Sequence, residues 1–400
     1  MRVWIYHNST WYKKENGEMA DVRIINEIDP LSVNLISNSA DVTLNIPEEK
    51  ANFAISSELS ISCEFQPGRT KVWAGYLKKA ERKGKNKWQL SIDGLVEHFD
   101  DIEFAGDIYT DKNVLELVTE ICGKAGVGVS VYNTEMNNDV ISGWIPYTTC
   151  REALSQVLFA AGWYMRSIHP SSIQFARLSA DTPKEIAKSR VLTGGVSQEE
   201  DKITGVEVNQ HAFSTEDYTY KKIWQTSEHG EHTETVINKE PVFGYNYSNE
   251  AGVDRTIEEH TNYITITYQI RNPDAVNPTA FLFTYAKYYN HIVSLKSKHL
   301  EGDTTGNTAV IENKTLVTAN NSASVLDRCF EHYTKNTEAT AKIIIGKHVA
   351  EDGTVTYDDD VVCGDMVTIP TDYQGTYTGR VVKEQYNLNG NIIIKEITVK

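Results

Sequence analysis

The chain has 400 residues, 40% of them apolar and 24% charged, with a formal net charge of −16. Such a length exceeds one ordinary core, so roughly two to four domains are expected, of ordinary water-soluble composition. The negative charge argues against wrapping nucleic acid, and no apolar run reaches the ~18 residues that cross a bilayer. The opening Met1–His7 is too short and polar to be a signal peptide, so synthesis in a cytoplasm without export is expected. Cys63, Cys122, Cys150, Cys329 and Cys363 are scattered and odd in number, with no two-residue gap between any pair. They read as buried free thiols, which suits a reducing compartment.

Residues 1–100 read as β-structure. Asp41–Pro47 and Leu59–Phe65 alternate polar and apolar residues, and Gln66-Pro67-Gly68-Arg69 is a turn signal. Lys71–Leu77 and Trp88–Gly94 form a strand pair across the basic tip Arg82–Lys87, whose lysines keep an exposed hairpin soluble.

Residues 101–195 change character. Asp111 is expected to cap a helix that presents Val114, Leu115, Val118, Ile121 and Cys122 on one face, with Gly123 and Gly126 supplying the stop. Val127–Tyr132 reads as a short strand. A second helix starts at Thr148 or Thr149, carries Ala153, Leu154, Val157, Leu158 and Ala161 inward, and stops at Gly162. Trp163–Ile168 and Ser172–Leu178 then form a hairpin across His169-Pro170. No glycine-rich loop joins a strand to a helix, so this is a small α+β domain and not a dinucleotide-binding one.

Residues 196–244 return to β, with Ile203–His211 as the clearest strand, and Tyr263–Tyr268 alternates well. The stretch 280–300 is compatible with helix or strand. Ser322 is expected to cap a helix through Tyr333. Ala339–Ile345 begins a terminal set of strands that continues through Gly364–Ile369, Gly375–Val382 and Gly390–Val399.

Chemistry-bearing patterns are weak throughout. Glu228-His229-Gly230-Glu231-His232 spaces its histidines three apart around a glycine, where a zinc helix needs them four apart on an apolar face. Asp358-Asp359-Asp360 and Glu351-Asp352-Gly353 lack the ligand spacing of a calcium loop, and Asp352-Gly353 reads as a hairpin turn. Cys150 starts a helix without a patterned histidine, there is no Gly-x-Ser-x-Gly, and no pair stands out among 55 acids. Trp73, Trp88, Trp144, Trp163 and Trp224 lie in or beside strands. They read as core or interface aromatics, with a sugar-binding platform as the alternative. No catalytic, cofactor-binding or metal-binding residue is assigned, and the chain is not expected to be an enzyme.

Four local matches give the chain a resemblance to the baseplate hub and late-control proteins of phage tails, a family shared with contractile bacteriocins and type VI secretion spikes. Asp41–Pro47 is similar to its early barrel strand. Val72–Leu77 followed by Gln89–Leu95 resembles its Gly-Tyr strand and Asp-Gly-Leu exit. The helices from Asp111 to Ala125 and from Cys150 to Ala161 resemble its inserted small domain. Gly364-Asp365-Met366-Val367 with Gly379-Arg380-Val381-Val382 resembles the hairpin of its last barrel.

The resemblance implies an α+β, mainly β chain. Its parts would be an N-terminal β-barrel at 1–100, a small α+β domain at 101–195, a second tube-like barrel from 196–244 plus 337–400, and a β-rich and helical insertion at 245–336. It implies a homotrimer that joins the tail tube protein to the central spike protein and contacts other baseplate proteins. DNA would pass its acidic channel without specific binding, and no cofactor or membrane anchor is involved. The site would be the virion tail baseplate, assembled in the bacterial cytoplasm. Acids near Asp358–Asp360 are expected at the channel. Strand edges near Val42–Ile46, Val72–Leu77, Val206–Asn209 and Val367–Ile369 are expected to pair between copies. A glycan-binding adsorption protein and a tail-associated peptidoglycan hydrolase are the rival expectations.

Overall fold

A computed structural model of the chain describes residues 2–66, 69–169, 171–178, 182–198, 202–248, 253–270, 282–302, 306–349, 354–358, 360–372, 375–388 and 393–400. It is 58% strand and 16% helix, which makes the class α+β, mainly β, as expected. The turns expected at Pro67-Gly68, Pro170 and Asp352-Gly353 lie outside the described residues, as do the start of the 280–300 stretch and the first residues of the stretch Gly390–Val399.

The N-terminal strands are β1 (Arg2–His7), β2 (Thr10–Lys13), β3 (Met19–Glu27), β4 (Ser39–Asn45), β5 (Glu58–Gln66), β6 (Arg69–Arg82) and β7 (Lys87–Asp93). Alternation decides their faces: on β4, Ala40, Val42 and Leu44 point into the core while Asp41 and Asn45 face out. The β1–β2 hairpin turns on Asn8 and Ser9, both at positive φ (44° and 62°), the pairing whose twist matches two-residue hairpins. Gly75 on β6 crosses β7 so closely that a Cβ would overlap the Asp93 carbonyl oxygen.

The small unit holds β8 (Glu103–Phe104), β9 (Ile108–Asn113), α1 (Val114–Lys124), β10 (Gly128–Val131), β11 (Val140–Trp144), β12 (Thr148–Thr149), α2 (Cys150–Ala161), β13 (Trp163–His169) and β14 (Ser172–Arg177). Helix α1 is not capped by Asp111, which sits at φ 47° in β9; the cap is Asn113, whose side chain accepts from the Glu116 amide. Thr149 caps α2 and Gly162, at φ 74°, ends it. The inward faces of both helices share one core with Trp163 and Phe175.

After β15 (Lys184–Glu185) and β16 (Val191–Gln198), the chain makes β17 (Ile203–Thr226), β18 (Gly230–Ile237), β19 (Val242–Tyr247), β20 (Val253–Glu259), β21 (Tyr263–Ile270), β22 (Leu282–His299), β23 (Asn307–Ile311) and α3 (Ser322–Tyr333). These strands form two sheets of their own, β19-β22-β17-β23 and β18-β21-β20. Residues 282–299 are therefore strand, settled by a ladder with β17. Ser322 is not the cap of α3; Asn321 precedes the helix, and the Ser322 hydroxyl donates to Gln210.

The chain closes on β24 (Thr337–Val349), β25 (Val355–Asp358), β26 (Met366–Thr371), β27 (Gly375–Asn387) and β28 (Ile393–Val399). These join the N-terminal strands in one sheet of order β16-β24-β28-β27-β3-β4-β7-β6-β5-β1-β2. The join is β3 against β27, in register from Glu27 opposite Lys383 to Arg23 opposite Asn387. Within the stretch 196–244, only the end of β16 belongs to this sheet; β17 and β18 pair in the excursion.

The two barrels expected from the sequence are not seen as closed sheets. Among the described residues, none of the sheets is closed into a barrel. The physical reason is the β3–β27 ladder, which opens both halves into one continuous surface over one core. β16 also touches the end of β26 through a two-bond contact at Gly194. The Gly194 amide donates to the Asp372 carboxylate at 3.3 Å, and the Gly194 carbonyl accepts from the Asp372 amide at 3.1 Å.

A charged knot sits beneath the join. Lys395 on β28 is fully buried, and its ammonium donates to Val361 O, to Glu384 at 3.1 Å and to the Tyr386 hydroxyl at 3.3 Å. Glu384 also accepts from Asn26 of β3 at 2.7 Å, and Asn26 in turn accepts from the Trp73 indole of β6 at 3.1 Å. Glu384→Ala leaves a buried ammonium without its counter-charge and should cost about 3–5 kcal/mol in urea unfolding. The double change Lys395→Met with Glu384→Leu should cost much less. Equal losses in the two variants would show that the charge pairing is not what matters there.

Candidate assembly surface

Most of the segments expected to offer free edges are flanked by strands on both sides. Val42–Ile46 lies on or just past β4, between β3 and β7; on β6, Tyr76 lies between β5 and β7 and Leu77 pairs with β7, while Val72–Gly75 ladder with β5 on one side only. Val206–Asn209 is held between β22 and β23, and Val367 and Thr368 between β15 and β27. Alternating patterns mark strands with one buried face, and interior strands show them as strongly as edge strands do.

Among the described residues, one sheet edge that carries exposed aromatics is β2. It pairs with β1 alone, and the antiparallel alternation turns the main chain of Trp11 and Lys13 outward. The Lys13 amide is taken by the Glu18 carboxylate at 3.0 Å, which leaves Trp11 as the exposed rung. Trp11 is 51% exposed and Tyr6 39%, and their rings touch at a centroid distance of 4.6 Å. Beside them Arg2, Trp4, Lys13 and Glu15 line an open depression of about 510 Å³. An unpaired rung flanked by an aromatic pair can accept a further strand and bury the rings against it. The sequence singled out five tryptophans, but Trp73, Trp144 and Trp163 are buried and Trp88 packs on Phe53. Trp11 was passed over. The signal that finds it is its place beside a tight Asn8-Ser9 turn, opposite a second aromatic.

The other sequence candidates resolve into ordinary structure. The His232 ring bonds the His229 carbonyl at 3.0 Å and stacks on Tyr268, and no group of three metal-ligating side chains occurs among the described residues. Asp360 is ion-paired with Arg190 at 2.8 Å; burial works against its charge, but Arg190 holds its carboxyl below the usual range. All five cysteines are buried and unpaired with one another. Burial pushes Cys122 up to about 12, so it is no thiolate at neutral pH.

The excursion is fixed to the small unit by Asn262, which is fully buried. Its amide donates to Ala105 O and Ile145 O, both at 2.7 Å, and accepts from the Trp144 indole at 2.7 Å. Nearby, Phe213 packs edge-on against Trp144 and stacks on His291. His291 meets His211 at 2.8 Å, and the other nitrogen of His211 faces the Glu312 carbonyl at 3.3 Å.

No protein-family profile and no curated protein matches the sequence. Among solved structures, the 43 kDa tail protein of prophage MuSo2 from Shewanella oneidensis superposes with a TM-score of 0.55 at 10% identity, covering 100% of this chain and 97% of that one. A tail protein from Neisseria meningitidis MC58 gives 0.56 at 10% identity, covering 100% and 95%. The prophage tail protein gp18 from Listeria monocytogenes EGD-e gives 0.52 at 9% identity, covering 100% and 94%. The fold is therefore that of phage tail proteins along the whole chain.

Two outcomes follow from this geometry. Asn262→Ala orphans an indole and two carbonyls, at about 1–3 kcal/mol for each group left unsatisfied. It should raise amide exchange in β20 and β21 above that of β4, and uniform exchange would contradict the anchoring role. Burial lowers the pKa of both His211 and His291, and His291 lowers His211 further. A base with a lowered folded pKa contributes stability above its ordinary value of 6.5, and that stability is lost as pH falls through the lowered folded values. The Tm should drop between pH 7 and pH 5, and His211→Gln with His291→Gln should flatten that drop.

Proposed function

We propose that this chain is a structural hub of a phage tail or phage-derived contractile particle. In this reading it is a homotrimer in the virion tail baseplate, assembled in the bacterial cytoplasm. It joins the tail tube protein to the central spike protein, contacts other baseplate proteins, and lets DNA pass without binding it. The role is mechanical and not enzymatic.

One observation carries the reading: the likeness to tail proteins runs the full length of the chain, and the sheet that unites its two ends leaves the β2 edge open beside exposed aromatics. A neighbouring copy that pairs with β2 would satisfy the Trp11 main chain, cover Tyr6 and Trp11, and extend each open sheet toward a ring. The chain's net charge of −16 places like charge around such a ring, which repels the phosphates of DNA in transit.

A glycan-binding adsorption protein is the second reading, favoured by the same Trp4, Tyr6 and Trp11 cluster, since sugars stack on exposed rings. Native mass spectrometry of the purified chain mixed with tail tube and spike proteins separates the two. Trimers are expected, and Trp11→Glu with Tyr6→Lys should lower the trimer fraction by about tenfold without lowering the Tm. A persistent monomer that binds a glycan array would replace the hub reading with the second one.

A further inference from the structure

A cleft of about 360 Å³ opens between the turn at 30–31, helix α3, and strands β26 and β27. Four cations face it, Arg328, Lys335, Arg380 and Lys400, over a floor that includes Leu31 and Met366. Glu331 is the only acid among its described lining residues. In a chain carrying 55 acids against 39 lysines and arginines, such a grouping runs against the general charge.

The cations are held in place from behind. Arg328 donates to Phe159 O and Ser324 Oγ, each at 2.8 Å, and Arg380 donates to Gly364 O at 2.6 Å. The Lys335 ammonium lies 5.7 Å from the centroid of the Tyr377 ring. Burial lowers the pKa of Lys335; Glu331 opposes this, while Arg380 and Lys400 lower it further. Burial lowers Arg328 as well. Fixed cations that disfavour one another gain most from an anion placed among them.

We propose that this cleft binds a carboxylate carried on an aliphatic stem, the side chain of an acidic segment from a neighbouring protein chain. The stem lies on Leu31 and Met366, and the carboxylate is held by Lys335 and Lys400. The apolar floor favours a carboxylate on a stem over an inorganic anion, because only the stem has apolar surface to bury on Leu31 and Met366. The site does not depend on the hub reading, because it is complete within one chain.

Thermal unfolding of the purified chain tests it, with a hexaglutamate peptide, inorganic phosphate and sodium chloride compared at matched ionic strength. The peptide should raise the Tm by about 2 °C or more, with the other two near zero. Lys335→Met and Lys335→Gln should each raise the Tm of the unliganded chain and abolish the peptide's effect. An equal rise in sodium chloride would reduce the cleft to charge screening. An equal rise in phosphate would make it an inorganic anion site. A peptide effect that survives both variants would also overturn the proposal. None of these outcomes alters the oligomer measurement, so failure here and failure of the hub reading remain distinguishable.

Discussion

The ladder between β3 and β27, with Lys395 and Glu384 buried beneath it, is the constraint on which the rest of the structure depends. A fully buried ammonium is tolerated only when its donors are taken up, and here they are met by Val361 O, Glu384 and Tyr386. Glu384 also draws in Asn26, and Asn26 draws in Trp73. Sliding β27 along β3 by one residue would turn Glu384 to the other face and strand both charges. The knot thus sets register between strands some 360 positions apart in the chain, and so brings the two ends into one sheet.

Apart from β15 and β16, the strands between the ends leave this sheet and must be tied back to it. Buried polar contacts do most of the tying. Lys314, ahead of α3, reaches Val33 O at 2.9 Å and Ser155 Oγ at 2.6 Å, and pairs with Glu152 at 3.3 Å. Arg166 and Lys184 both pair with Asp365, which is buried beside the β26–β27 hairpin. Tyr164 donates to Gly364 O at 3.3 Å, and a side chain at Gly364 would collide with that ring. Hydrogen bonds of this kind add modest stability but strict geometry, because each lost partner leaves a desolvated group behind.

The surface repeats this division of labour. A depression on the N-terminal half is open and aromatic, at the rim of β2, and the C-terminal cleft is cationic over an apolar floor. Both suit contact with other chains. Their chemistries differ: main-chain pairing and ring burial at β2, charge complementarity at the cleft.

Much of the local structure was written in the residues. Alternation in Asp41–Pro47 and Tyr263–Tyr268, the apolar stripe from Val114 to Cys122, the Thr149 cap and the Gly162 stop are short-range properties, set by period and by backbone preference. Helix caps were misplaced by one or two positions because Asp111 and Ser322 are good caps in general, while the local chain direction selected Asn113 and Asn321. The likeness to tail proteins was legible in the order of segments. Which strand edges stay open, and whether two halves close separately or share one sheet, was not. An edge is defined by what does not pair with it, and a pairing between β3 and β27 leaves no periodic mark in either strand. The grouping of Arg328, Lys335, Arg380 and Lys400 is likewise a product of folding alone. The sequence by itself determined which segments could be strands and which faces they would bury, because those follow from side-chain spacing. Only the tertiary structure decided which of those strands meet, because that depends on buried partners contributed by distant residues.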